Sequence, residues 1–157
     1  MKIFSAVEIV DIGIEKEKKR KDFYARVCER FDRQDIKDLF AKLRDWEQNH
    51  IEKFTQIREG LAELDLVESH PEELSGYMQA LVDDKSHSDV GTEEFVVKIK
   101  TAEDAINYAI VFEKDAILFF NEMIPYVPAK NRGVIGQLVN EEKQHIIYLS
   151  DLRKKIQ

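Results

Sequence analysis

One cysteine, Cys28, is present among 157 residues. That excludes an internal disulfide and any four-thiolate metal site, and it fits a reducing compartment. Proline and glycine are scarce, at three and six residues, while charged residues reach 35%. So few breakers in so charged a chain favour long helices over sheet or disorder. Excess positive charge is also missing. At a net charge of -7, no basic face emerges to bind phosphates, which argues against a nucleic-acid partner. No apolar run approaches the roughly 20 residues needed to span a bilayer. Glu8 and Asp11 interrupt what would have to be a signal-peptide hydrophobic region. The expectation is a cytoplasmic protein with no membrane partner, folded as one domain over residues 1–157 with a sizeable core.

What is present is helical periodicity. Val7, Val10, Ile14, Glu17, Tyr24, Cys28 and Phe31 recur at steps of three, four or seven, which predicts a first helix at about residues 4–31. The basic run Lys16 to Lys21 reads as a solvated face of that helix. Asp35 is a candidate cap near the start of a second helix at about residues 34–61, with Ile36, Phe40, Leu43, Glu47, His50, Phe54 and Ile57 on one face. Residues 62–101 read as a crossover. It holds a short helix at about 71–83, started by Ser69-His70-Pro71-Glu72, and a polar loop from Asp84 to Thr92. Phe95-Val96-Val97-Lys98-Ile99 is ambiguous between extended chain and a helical turn. Thr101 begins a third helix at about 102–124 that carries Ile106, Ile110, Glu113, Ile117 and Phe120. Pro125 and Pro128 bracket its end, and a fourth helix at about 129–156 carries Ile135, Leu138, Glu142, His145, Leu149 and Leu152.

The second half repeats the first. Glu17 and Glu113 are 96 residues apart; Glu47 and Glu142 are 95 apart, as are His50 and His145. Apolar matches alone would mean little, because any two amphipathic helices can be aligned. Glu and His falling together at core positions of both halves is informative. It predicts two helical hairpins related by a pseudo-twofold axis and joined by the crossover. An unpartnered buried carboxylate costs several kcal/mol, so four on apolar stripes require cations. Glu and His three apart lie on one helix face, about 4.5 Å apart along the axis. One Glu from each of two helices and Glu-x-x-His from each of the other two is a di-metal carboxylate set. Oxygen with nitrogen ligands suits iron or manganese.

These residues carry a resemblance. Glu17-Lys18-Lys19-Arg20-Lys21-Asp22-Phe23-Tyr24, Trp46-Glu47-Gln48-Asn49-His50, Glu113-Lys114-Asp115-Ala116-Ile117-Leu118-Phe119-Phe120 and Glu141-Glu142-Lys143-Gln144-His145 resemble the rubrerythrin family of the ferritin-like superfamily. The resemblance covers essentially the whole chain and is weakest in the crossover. It implies an all-α, ferritin-like four-helix bundle with one long crossover between the second and third helices. It also implies two iron ions held by Glu17, Glu47, His50, Glu113, Glu142 and His145, with manganese or zinc as other occupants of the same ligands. Tyr24, seven residues after Glu17, stands where such proteins often place a tyrosine that hydrogen-bonds a ligand carboxylate; its other reading is a core aromatic. The implied activity is reduction of hydrogen peroxide or dioxygen, with ferroxidase or iron-binding roles, or a structural metal, as alternatives. A homodimer is expected by the same resemblance.

Two departures qualify it. Full-length rubrerythrins hold a further iron in a rubredoxin domain with four cysteines, which Cys28 alone cannot supply. Electrons are therefore expected from a separate donor such as a rubredoxin-type protein. Those proteins also carry a glutamate three residues after the third-helix ligand, used in a ligand switch during peroxidase turnover. Here that position is Ala116, and its first-helix counterpart is Arg20, so a symmetric six-ligand site is expected. His70 and His87 are expected to be exposed and Cys28 to be core. Trp46 is expected against the crossover, and Glu15, Asp115 and Glu141 to point away from the ligands.

Overall fold

Ser5 opens the first helix of the computed structural model, which describes residues 4–61 and 72–157. The Ser5 hydroxyl accepts from the Glu8 amide at 3.1 Å, and the Glu8 carboxylate accepts from the Ser5 amide at 2.9 Å. This reciprocal pair satisfies two donors that a helix start leaves orphaned. Helix α1 (Ala6–Arg30) follows. A tight turn leads to α2 (Gln34–Glu59), which starts one residue ahead of the anticipated cap. Asp35 lies inside its first turn and takes hydrogen bonds from Arg33 Nε at 2.7 Å and the Ile36 amide at 3.0 Å.

The crossover contains α3 (Glu72–Asp83) and the short α4 (Glu93–Val97), capped by Thr92. The ambiguous Phe95–Ile99 stretch thus begins as helix. Ser69, His70 and Pro71 lie outside the described residues. Helix α5 (Ala102–Met123) starts at Thr101, whose hydroxyl accepts from the Asp104 amide at 3.1 Å. A 3-10 turn (Ile124–Tyr126) containing Pro125 leads to α6 (Ala129–Ile156), with Pro128 at its cap.

Helix α1 packs along α2 and α5 along α6, and the two hairpins meet through α1–α5 and α2–α6. Two apolar clusters set the direction of every helix. One joins the start of α1 (Ile9, Val10), the end of α2 (Phe54, Ile57), the end of α5 (Phe119, Phe120) and the start of α6 (Ile135, Leu138). The other joins Phe23 and Tyr24 of α1, Phe40 and Leu43 of α2, Ile106 and Phe112 of α5, and Leu149 of α6. Helix α2 therefore ends at the opposite end of the bundle from where α5 begins. The crossover must run the length of the bundle: Met78 sits in the first cluster, and Val90, Val96 and Ile99 in the second.

The crossover is tied to α1. Arg26 Nε donates to the Gly91 carbonyl at 2.9 Å, and Arg30 donates to the Ile99 carbonyl. Gly91 is needed for this approach, because a Cβ there would lie 3.0 Å from the Lys19 carbonyl oxygen. Among the described residues no helix is long and apolar enough to cross a membrane.

Candidate metal centre

Seven buried residues among those described are polar or charged: Glu17, Arg20, Glu47, His50, Glu113, Glu142 and His145. All seven occupy the single layer between the two apolar clusters. Helical periodicity puts them there, since each lies on the same stripe as its element's core residues. Two groups form, Glu17–Glu47–His50–Glu142 and Glu47–Glu113–Glu142–His145, and within each the ligand-capable atoms lie within 4.8 Å of one another. Glu47 and Glu142 belong to both, while Glu17 and Glu113 each belong to one. The two groups share two carboxylates, and each adds one further carboxylate and one imidazole.

Orphaned atoms test whether this layer fits cations. Glu17 Oε2, both oxygens of Glu47 and Glu142, Glu113 Oε2, and Nδ1 of both histidines are buried without a hydrogen bond. The imidazole nitrogens lie close to carboxylate oxygens, His50 Nδ1 3.0 Å from Glu142 and His145 Nδ1 2.8 Å from Glu142, yet off the hydrogen-bond direction. Buried polar atoms are normally paired. Eight of them converging on one place have the number and chemistry of two divalent metal sites, so the residues fit the group.

The protein's own groups compensate one another electrostatically. Burial opposes charge on His50, but the carboxylates of Glu142 and Glu47 outweigh it and hold its pKa up at about 11. His145 is likewise held up at about 12, against burial, by Glu113, Glu142 and Glu47. Burial, then the nearby Glu142 and Glu47, pushes Glu113 well above the usual carboxylate range. Glu142 is drawn down to about 2 because Glu113 and both histidines outweigh burial and Glu47. Tyr24 donates its hydroxyl to Glu113 across the bundle, rather than to Glu17 on its own helix. Burial and then Glu113 push its pKa well up, so the phenol stays protonated.

Several expectations are corrected here. Arg20 is not part of a solvated face. It is 5% exposed, pairs with Glu17, reaches to 4.0 Å from Glu47 with Nε, and lies over the Phe120 ring at 5.7 Å. Burial opposes its charge, but Glu47, Glu142 and Glu113 outweigh it. The surroundings of the six expected ligands are unequal: Glu17 carries a guanidinium beside it, and Glu113 a phenol. Glu141 does not point away. Its carboxylate lies 2.9 Å from His50 Nε2 and is braced by Lys53 at 3.1 Å. Trp46 stacks on His145 at 4.8 Å with rings 9° apart, and on Tyr148 at 5.5 Å. His87 is half-buried, with its ring against Phe112 and Nδ1 3.5 Å from Asp115. Cys28 is half-buried, with Sγ 3.5 Å from the Lys37 carbonyl. Glu15 and Asp115 are exposed, as read from the sequence.

Arg20 had a legible signal. It lies three residues after Glu17 and four before Tyr24, so it shares their face, but the surrounding lysines mask it. Glu141 had none, because its partner His50 belongs to another helix.

Bundle, crossover and layer together define a helical protein of ferritin-like architecture with a buried carboxylate–histidine cluster. Among solved structures, a Thermotoga maritima protein provisionally assigned as a ferritin-like diiron-carboxylate protein shares the fold, at a TM-score of 0.68. It is 21% identical, and the match covers 98% of this chain and 97% of that one. No protein-family model matches the chain, and no curated protein does.

Proposed function

We propose that the protein is a di-iron carboxylate oxidoreductase that reduces hydrogen peroxide or dioxygen with electrons from a separate donor, such as a rubredoxin-type protein. One observation carries this reading: six Glu and His side chains from four helices converge as two overlapping four-residue groups. Glu47 and Glu142 would bridge, Glu17 and Glu113 would each complete one position, and His50 and His145 would each cap one. Held by these residues, two ferrous ions would supply two electrons, enough to take peroxide and two protons to two waters, or dioxygen and two protons to peroxide. Tyr24 orients Glu113 and keeps a proton at its phenolic oxygen beside the site. Glu141 holds His50 through Nε2, leaving Nδ1 toward the cluster, an outer contact of the kind that fixes a ligating imidazole. The Thermotoga protein's description agrees with the di-iron reading.

A second reading, an iron-oxidising or iron-handling protein without a further substrate, is favoured by Ala116. It is fully buried and offers no extra carboxylate for a ligand switch.

Anaerobic iron titration separates these readings. The expected result is two ferrous ions per chain, oxidised by peroxide or oxygen with a visible absorbance change, then repeatedly re-reduced while a donor is consumed. Oxidation without donor turnover supports iron handling instead. A folded chain with no stoichiometric iron overturns both.

A further inference from the structure

The two metal positions carry the same ligand types but different neighbours. Glu113 receives a neutral phenol, whereas Glu17 receives a guanidinium that is itself buried and oriented by Phe120. A guanidinium remains charged at any working pH. It neutralises part of the carboxylate charge that a metal at the Glu17–His50 position would need, and it repels that metal at close range inside a poorly solvated layer. Four carboxylates balance two divalent cations. With Arg20 added, the layer is one charge short of neutrality with one metal and one charge beyond it with two.

Arg20 also has somewhere to go. It lines a cavity of about 400 Å³ between α1, the crossover and α5, where carboxylates such as Glu15 and Asp115 stand among the lysines Lys16, Lys19 and Lys85. Among the described residues no arginine or lysine pairs with Glu113, and the matching position on α5 is the buried Ala116.

Building on the di-metal reading, we propose that Arg20 makes the two metal positions unequal: the Glu113–His145 position loads first, and the Glu17–His50 position loads only when the guanidinium is displaced from Glu17 toward the adjoining cavity. Arg20 is thus a positioning residue that sets the order and affinity of metal loading. A chain with one tightly held metal and one exchangeable metal follows from it.

Cobalt(II) is the probe, titrated by calorimetry with elemental analysis of the bound metal. Wild type is expected to take one Co2+ tightly and a second at least tenfold more weakly. Trp46, the single tryptophan, stacks on His145, so its emission change is expected to be complete at one equivalent. Arg20→Gln is expected to tighten the second step at least tenfold and leave the first within threefold. Glu113→Gln should remove the tight step and Glu17→Gln the weak one. These two variants each remove one candidate ligand carboxylate and keep the test decisive if Arg20→Gln does not fold by circular dichroism. Two steps within threefold of each other in wild type, or tight binding lost with Glu17→Gln rather than Glu113→Gln, overturns the inference and leaves the di-metal reading standing. A folded wild type that binds neither Co2+ nor Fe2+ overturns both.

Discussion

Tyr24 and Glu141 act at the same distance from the chemistry, each one contact behind a candidate ligand. Tyr24 donates to Glu113, and Glu141 holds His50 Nε2. Removing such an outer contact costs about 10–100-fold in metal affinity in other metal sites. Tyr24→Phe is therefore expected to weaken the Glu113–His145 position by about that factor, and Glu141→Ala the Glu17–His50 position, each leaving two metals per chain at saturation. Unchanged constants in a cobalt titration of both variants would show that these contacts do not orient ligands. Tyr24 was a residue whose role periodicity could not decide. A stripe position announces burial, but whether the hydroxyl meets a carboxylate depends on a helix 89 positions away. Arg20 shows the converse: its face was readable, and the lysines around it in sequence hid it.

At the scale of elements, local chemistry set most boundaries. Ser5 with Glu8, Thr92 and Thr101 each supply a side-chain oxygen to an orphaned amide. Ser5→Ala is expected to cost about 1 kcal/mol. The crossover depends on close backbone contact instead. Gly91→Ala would press a methyl group against the Lys19 carbonyl, at a cost of about 1–3 kcal/mol. Thermal unfolding reads both, at roughly 2–4 °C per kcal/mol in a chain of this size. A Gly91→Ala protein as stable as wild type would mean that the loop shifts freely and is not anchored through Arg26. Asp35 marks a limit of cap reading: an acidic residue suits either the cap or the first turn, and here Gln34 begins the helix and Asp35 serves the turn.

For the molecule as a whole, the buried layer couples stability to pH and metal. An imidazole with a raised folded pKa contributes fully below the unfolded value of 6.5, and that contribution is lost as pH rises toward 11 or 12. Glu113, also raised, works in the same direction above 4.5, since its ionisation in the fold is costly. The protein stripped of metal by a chelator is therefore expected to lose stability from pH 6.5 to 9. Metal binding needs deprotonated imidazoles and carboxylates, so it releases protons and strengthens over the same range. Saturating Co2+ should raise the melting temperature, by an amount that grows with pH. Parallel melting curves with and without Co2+ across this range would argue that the layer does not bind metal through these histidines.

The sequence by itself determined the four long helices, the hairpin repeat and the six Glu and His positions. Each depends on a spacing of three or four residues along one helix, which the chain carries locally. Tertiary structure decided what stands beside those six. Arg20 in the layer, Tyr24 against Glu113, Glu141 behind His50 and Trp46 over His145 are contacts made or completed between helices. Linear periodicity gives the face of a helix but not the depth or the partner across the bundle. The two halves already differ in sequence at this place, Arg20 against Ala116. Only packing decides what that difference does, by burying the guanidinium beside Glu17 and the small Ala116 at the matching place.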